Sequence, residues 1–431
     1  MPSRLSILIA GLCLVPGFLS AGDWPQWRGP ARDGKSADTG LLEKWPEGGP
    51  PLVWRAEGLG LGYSSVAVTD GKVFTLGDVK DDELLFAISD ADGKTLWKYR
   101  VGPANKGSHG GSRSTPTVDG KRVYALGSDG DLVSLSATDG REIWRLSIVE
   151  TFGAEMMVAG GKHNWRFSES PLIDGGKLIV TPGTRSAALV ALNKQNGKEI
   201  WRTEIPELGE RGVDGTGYAS AVVSEGAGVR QYVQLIGRGL IGVEASTGKF
   251  LWGYNRIANH VANVPTPLID GDYVFASTGY GSGAGLLRLR KDGDGVAADE
   301  IYFVAGDTMQ NHHGGMVLHN GVVYSGTGHQ KGFPLALEMK SGEVKWGPIR
   351  NAGKNSAAVS FADGRLYFRY ENGLMMLIEA SSREYREAGS FMIPDVKSQS
   401  WSAPVISGGR LYLKEQDHML CYDLRIQPKG P

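Results

Sequence analysis

Cysteine is almost missing from this chain: Cys13 and Cys421 are the only two in 431 residues. No disulfide framework can therefore hold the fold together, and no C-x-x-C-H motif is present to attach a haem. Charge of one sign is lacking too. The 46 Lys and Arg residues offset 47 Asp and Glu to leave a net charge of -1, so there is no basic field for a nucleic acid and none is expected as a partner. Long hydrophobic runs are confined to Leu5–Leu19, which is too short to cross a bilayer at about 1.5 Å per residue. No transmembrane segment is expected. Helical periodicity is scarce, which removes the setting of a phosphate loop, of G-x-S-x-G and of H-E-x-x-H, and none of these motifs occurs.

The apolar run follows Arg4 and is succeeded by Ser20, Ala21 and Gly22, the pattern of a secretory signal peptide over residues 1–22, cut near Ala21 or Gly22. A buried amphipathic helix is the alternative. Cys13 follows Leu12, where a lipid-anchoring signal would carry Gly or Ala, so the expected location is periplasmic or secreted without an anchor. The stretch that follows, "DWPQWRGPARDGKSADTGLLEKWPEGGP" over residues 23–50, holds three Trp and four Pro residues. It is expected to be an ordered strap, each buried ring stabilising by about 2 kcal/mol.

Glycine is abundant, at 63 residues, about twice the roughly 7% of an average protein, and without a collagen period that means many tight turns. The turns belong to a repeat. "SVAVTDGKV" from Ser65, "TPTVDGKRV" from Thr115 and "SPLIDGGKL" from Ser170 are followed by "SAVVSEG" from Ser220, "TPLIDGDYV" from Thr266 and "GMVLHNGVV" from Gly315. "AVSFADGRL" from Ala358 and "APVISGGRL" from Ala403 complete eight registers, at the spacing of propeller blades. Each begins with Ser, Thr, Gly or Ala, as strands converging on one axis require. Asp-Gly and Asn-Gly pairs between the first two stripes supply type I′ hairpins. Gly93 to Trp97, Gly140 to Trp144, Gly197 to Trp201, Gly248 to Trp252 and Gly342 to Trp346 keep G-x-x-x-W, with the Trp expected to fill the gap between neighbouring blades.

The eighth copy ends without a fourth stripe, whereas "PLVWRAEG" from Pro51 has that pattern and no blade before it. The expected fold is an all-β, eight-bladed propeller of four-stranded antiparallel blades over residues 51–427, closed by this N-terminal strand, with a tail at 428–431.

Residues just ahead of each inner strand reach the mouth of the central channel. They are Tyr63, Arg113, Ser168 with Glu169, Tyr218, Asn263, His312 with His313, Asn355 and Trp401. Of these, Arg113, Glu169, Tyr218, Asn263, His312, His313, Asn355 and Trp401 are the candidate binding residues, for a protein, a peptide or a small polar ligand. The simpler alternative is that they solvate the channel mouth. Adjacent His residues in an extended segment point to opposite sides, so "NHHGG" at 311–315 is not expected to hold a metal. "KDGDG" from Lys291 lacks the full spacing of a Ca2+ loop and reads as a hairpin tip. The departure "LSIVETFGAEMMVAGGKHNWRF", Leu146 to Phe167, is expected to lie over the mouth, and His109 and His163 join the rim only if their loops fold inward. No catalytic residue can be assigned, and a monomer is expected.

Copies reading S-P-x-x-x-G, G-x-L-x-A-L and T-G-x-x-x-W resemble the PQQ-like repeat, the blade unit of quinoprotein alcohol dehydrogenases and of the assembly lipoprotein BamB. "DWPQWRGPARDG", "NWRFSESPLIDG", "RQYVQLIGRGLIGVEA" and "MQNHHGG" look like a group of secreted propellers with that repeat. The resemblance implies the fold for residues 51–427. For the enzymes it also implies a quinone held between a Trp and a ring of two adjacent Cys residues, with a Ca2+ bound by Glu, Asn and Asp. This chain has no Cys-Cys pair and no identifiable Ca2+ triad. No cofactor is therefore expected, and a non-enzymatic binding scaffold is the leading reading; a degenerate quinoprotein oxidoreductase with PQQ and Ca2+ is the alternative.

Overall fold

Eight four-stranded antiparallel sheets form the body of the protein, whose computed structural model describes residues 22–158, 165–350 and 352–426. The expected leader, apart from Gly22, lies outside the described residues, as do the tail and His163. In the first blade the strands run outward as Ala67–Thr69, Lys72–Val79, Asp82–Ser89 and Thr95–Pro103. The seven others repeat that order, with innermost strands at Thr117–Asp119, Leu172–Asp174, Val222–Ser224, Leu268–Asp270, Met316–His319, Ala357–Ala362 and Val405–Ser407. The eighth blade is completed by Leu52–Glu57, which pairs antiparallel with His418–Asp423 in the register Trp54↔Cys421 and Glu57↔His418. One hydrogen-bonded sheet thus joins the two ends of the ring, and no blade is left with a strand missing.

Each seam between blades is a separate apolar cluster. The closing seam packs Trp54, Tyr412, Met419 and Cys421 of blade 8 on Val68, Val73 and Phe86 of blade 1. The G-x-x-x-W spacing has its cause here. The turn glycine of one blade lies against the ring of the preceding one: Gly93 on Trp54, Gly140 on Trp97, Gly197 on Trp144 and Gly248 on Trp201. All four glycines have positive φ, and a Cβ on any of them would come within about 3 Å of that ring, so the turn conformation and the packing both call for Gly. Trp54 Nε1 donates to Asp90 O at 2.7 Å and Trp144 Nε1 to Lys194 O at 3.1 Å, each across a seam. Trp201 is buried, but Trp144, on the equivalent fourth strand, is only half-buried. Trp252 departs from the pattern, since its Nε1 donates to Gln231 Oε1 at 2.7 Å inside its own blade.

The strap does more than lie across the ring. Trp24 and Val68 exchange backbone hydrogen bonds at 2.8 Å, Pro25 O accepts from Val118 N at 2.7 Å, and Arg32 donates to Ser170 O at 2.7 Å and Pro171 O at 3.1 Å. Trp27 Nε1 then donates to Thr266 Oγ1 at 3.1 Å, Arg28 donates to Met316 O, and Gly34 O accepts from Phe361 N at 2.8 Å. Asp38 accepts from Gly409 N at 2.8 Å. Blades 1, 2, 3, 5, 6, 7 and 8 are all touched, so the strap threads the channel from the side of the first hairpin turns. The "KDGDG" segment turns between Gly283–Asp292 and Gly295–Ala305, as a hairpin tip. Among the described residues no helix is long and apolar enough to cross a membrane.

Candidate functional site

A cavity of about 600 Å³ fills the open end of the channel, and Trp27 and Arg28 of the strap line it from below. Its walls are set by a strand rule. An extended chain alternates sides, and in seven of the eight blades the residue two places before the small strand start faces the cavity: Tyr63, Arg113, Ser168, Tyr218, Val264, His313 and Trp401; in the seventh blade Ser356 at that place is buried and does not. The small residues Ser170, Ser220, Thr266 and Gly315 form the narrow ring beneath.

The same rule removes two expected members. Glu169, one place before Ser170, is turned into the seam between blades 3 and 4, where Thr181 N donates to it and Gln234 Nε2 lies 3.3 Å away. Burial, opposed by the Thr181 bonds and the nearby Arg32 charge, raises its pKa to about 7. Asn263 is fully buried, its Nδ2 donating to Ile236 O at 3.1 Å and Gly237 O at 2.9 Å while its Oδ1 accepts from Asn259 N at 3.0 Å. It braces a loop and does not line the cavity. Arg113, Tyr218, His312, His313, Asn355 and Trp401 do. His312 and Asn355 stand three places ahead and still face inward: Asn355 adopts a positive φ of 63°, and the chain bends at His313 and Gly314.

That bend also corrects the expectation for the paired imidazoles. Instead of pointing to opposite sides, the rings of His312 and His313 lie with centroids 4.4 Å apart. They belong to an aromatic arc: Tyr280 to His329 at 4.6 Å, His329 to His312 at 4.6 Å, His313 to Trp401 at 5.0 Å and Trp401 to Tyr63 at 4.6 Å. His109 packs on Trp401 at 5.2 Å, and the Arg113 guanidinium sits 5.0 Å from the centre of the Tyr63 ring. Across the mouth, Trp165 meets Tyr218 edge-on at 5.7 Å, and Tyr218 OH donates to Met157 O at 3.1 Å. The Leu146–Phe167 segment thus reaches the rim through Trp165.

Tyr280 and His329 escaped the sequence reading although a signal was present. Both follow a Thr-Gly pair that ends the second strand of blades 5 and 6, in "STGYGSG" and "SGTGHQKG", and loops after second strands open on the same mouth as those before first strands.

The electrostatics follow from burial. Desolvation, then the neighbouring His329, lowers the His312 pKa to about 4. Desolvation, His312 and Arg113 hold His313 well below its usual range. The imidazoles are therefore neutral near pH 7. His312 Nδ1 lies 2.6 Å from Ser356 Oγ and its Nε2 lies 3.1 Å from Tyr280 OH. By contrast, Arg113 Nε, His313 Nε2, His329 Nδ1 and Trp401 Nε1 are buried and have no hydrogen-bond partner. Buried polar atoms are normally satisfied; Arg113, His313 and Trp401, together with Arg28 Nε in the floor, bring such unsatisfied atoms to the lining of the cavity, while His329 stands just behind it. Among the described residues no group of three or more His, Cys, Asp or Glu side chains is disposed to hold a metal ion.

The family model described as outer membrane protein assembly factor BamB matches residues 46–160 and 155–388. Tetrathionate hydrolase of Acidithiobacillus ferrooxidans is 22% identical over 76% of this chain, and the chain spans about half, 53%, of that relative's length. Among solved structures, BamB from Moraxella catarrhalis superposes with a TM-score of 0.55 at 12% identity, covering 88% of this chain and 99% of its own. Quinohemoprotein alcohol dehydrogenase from Comamonas testosteroni gives 0.62 at 12% identity over 95% and 82%. Likeness at these identities extends to the fold alone.

Proposed function

The chain belongs to the family of outer membrane protein assembly factor BamB, and from that premise we propose that it is a non-enzymatic, periplasmic or secreted binding propeller whose channel mouth holds a protein, a peptide or a small polar ligand. The observation that carries this reading is the set of unsatisfied buried atoms on residues lining a 600 Å³ cavity closed from below: Arg28 Nε, Arg113 Nε, His313 Nε2 and Trp401 Nε1. Aromatic faces beside convergent polar groups suit a ligand that is planar or apolar in its body and polar at one end. A family named for assembly of other proteins favours a polypeptide as that ligand.

The fold shared with quinohemoprotein dehydrogenases keeps a quinone enzyme as the second reading, and the lining fits it poorly. Cys421, the one cysteine among the described residues, is buried in the closing seam and does not line the mouth, and the sequence has no Cys-Cys pair to form a ring against the Trp. Glu371 is the one carboxylate on the lining, too few to replace the Glu, Asn and Asp that hold Ca2+ in such enzymes.

Two arms test the proposal. Thermal-shift screening against a panel of short peptides and polar small molecules should find binders for the native chain; the double variant Arg113→Ala/His312→Ala should lose those shifts while its own melting temperature stays nearly unchanged. With added quinone and Ca2+, no alcohol-dependent dye reduction is expected. Full retention of binding by the double variant, or steady dye reduction, would contradict the reading.

A further inference from the structure

Two arginines line the mouth and neither pairs with a carboxylate; Arg28 in the floor donates to the carbonyls of Asp33 and Met316, which leaves Arg113 as the cation free to meet an anion. Its single hydrogen bond is to the His109 carbonyl, and no carboxylate lies within ion-pair distance among the described residues. The buried arginines are engaged elsewhere: Arg32 donates to carbonyls of the channel wall, as Arg28 does, and Arg369 pairs with Glu415 at 2.7 Å. Arg113 itself is half-buried, with its Nε covered; a partly desolvated guanidinium without a counter-charge gains from an anion, and a carboxylate is the group that its forked donors match. Trp401 Nε1, an unpartnered donor on the same wall, offers a further N–H. Glu371 at the rim accepts from Asn355 Nδ2 at 3.3 Å and would repel a multiply charged ligand, so the site suits one negative charge.

The strap adds a geometric limit. With Trp27 and Arg28 as a floor, a chain that enters the mouth cannot pass through to the other face, so a chain end fits it with less of the chain to fold back than a loop. A second, open cavity of about 1040 Å³ adjoins the mouth, sharing Tyr63, His109 and Gln399 with it and running over blades 8 and 1 past Lys106, Lys397 and Asp417. Its mixed charges and the glycines 107, 110 and 111 suit an extended backbone.

We propose that the mouth captures the carboxyl-terminal end of a polypeptide, with the terminal carboxylate on Arg113, the last side chain among the rings of Trp401, Tyr63 and His313, and the preceding residues in the groove. This rests on the binding role proposed above and names the ligand for it.

Fluorescence anisotropy with a dye-labelled hexapeptide ending in phenylalanine tests it, the free acid compared with the C-terminal amide. The acid should bind at least about tenfold more tightly than the amide. Arg113→Gln should abolish that difference and Arg113→Lys restore part of it, with melting temperatures measured alongside. Trp401→Phe, which keeps a ring but removes the indole donor, should weaken the acid more than the amide. N-acetylphenylalanine should compete, but weakly, because it cannot use the groove. Equal binding of acid and amide would overturn carboxylate capture while leaving the mouth as a binding site. Competition by N-acetylphenylalanine as tight as the peptide's would overturn the polypeptide assignment. If none of the three probes binds, the inference is overturned, and the broader binding role is judged by the ligand panel.

Discussion

Glu83 lies fully buried where blades 1 and 2 meet, its carboxylate accepting from Ser128 N at 2.7 Å, and burial together with the nearby Asp78 charge raises its pKa to about 8. In the unfolded chain the same group ionises near 4.3. Between those values the native state holds a proton that the unfolded state has released, so its contribution to stability falls as pH rises from about 4.5 to 8. Glu83→Gln should therefore gain in melting temperature relative to the native chain between pH 5 and pH 8; parallel curves would contradict it. His312 works in the opposite direction. Its native pKa is about 4 against about 6.5 unfolded, so the stability present above pH 6.5 is lost as pH falls toward 4. His312→Gln, which retains polar reach toward Ser356, should lose less of its urea midpoint than the native chain on going from pH 7 to pH 4.5. An equal loss in both proteins would remove the assignment. Neither shift is legible in the sequence, because both come from neighbours that only the ring of blades brings together.

At the scale of the blade, the tryptophan and glycine of four of the five G-x-x-x-W copies serve different seams, the glycine receiving the ring of the blade before and the tryptophan reaching the blade after; Trp252 is the exception. Trp201, packed on Gly248 and 8% exposed, should cost about 3–5 kcal/mol on replacement by Ala. Half-buried Trp144 should cost less. Denaturant unfolding of the two variants checks the order, and equal, negligible losses would refute the interblade role. The inner strands show how much of the site could be read in advance. The small residues at Ser65, Thr115 and their counterparts fix where each strand starts, and the period of two then settles which neighbour looks inward. Applied strictly, that rule keeps Tyr63, Arg113, Tyr218, His313 and Trp401 and rejects Glu169. It fails where the backbone leaves the extended state, at the bend by His313 and at the positive φ of Asn355, and those are the places where His312 and Asn355 join the lining.

On the scale of the whole molecule, eight repeats and one orphan strand were enough to read a closed ring, because a blade has no other way to cover its faces and edges. The blind channel was not legible. Nothing in "DWPQWRGPARDG" announces that Trp27 and Arg28 lie inside the ring, since their partners, Thr266 and Met316, belong to blades far along the chain. The result is a propeller with one open mouth, walled by rings and by polar atoms that lack partners. A photo-reactive amino acid placed by turns on the two faces, in cells that make the protein naturally, tests that account most directly. Gln330 stands exposed at the mouth, and Asn320 lies exposed on a hairpin turn of the opposite face. A discrete crosslinked adduct from position 330, lost when Arg113 is also changed to Gln and absent from position 320, is the predicted result. Adducts from position 320 alone, or from position 330 with no dependence on Arg113, would contradict it.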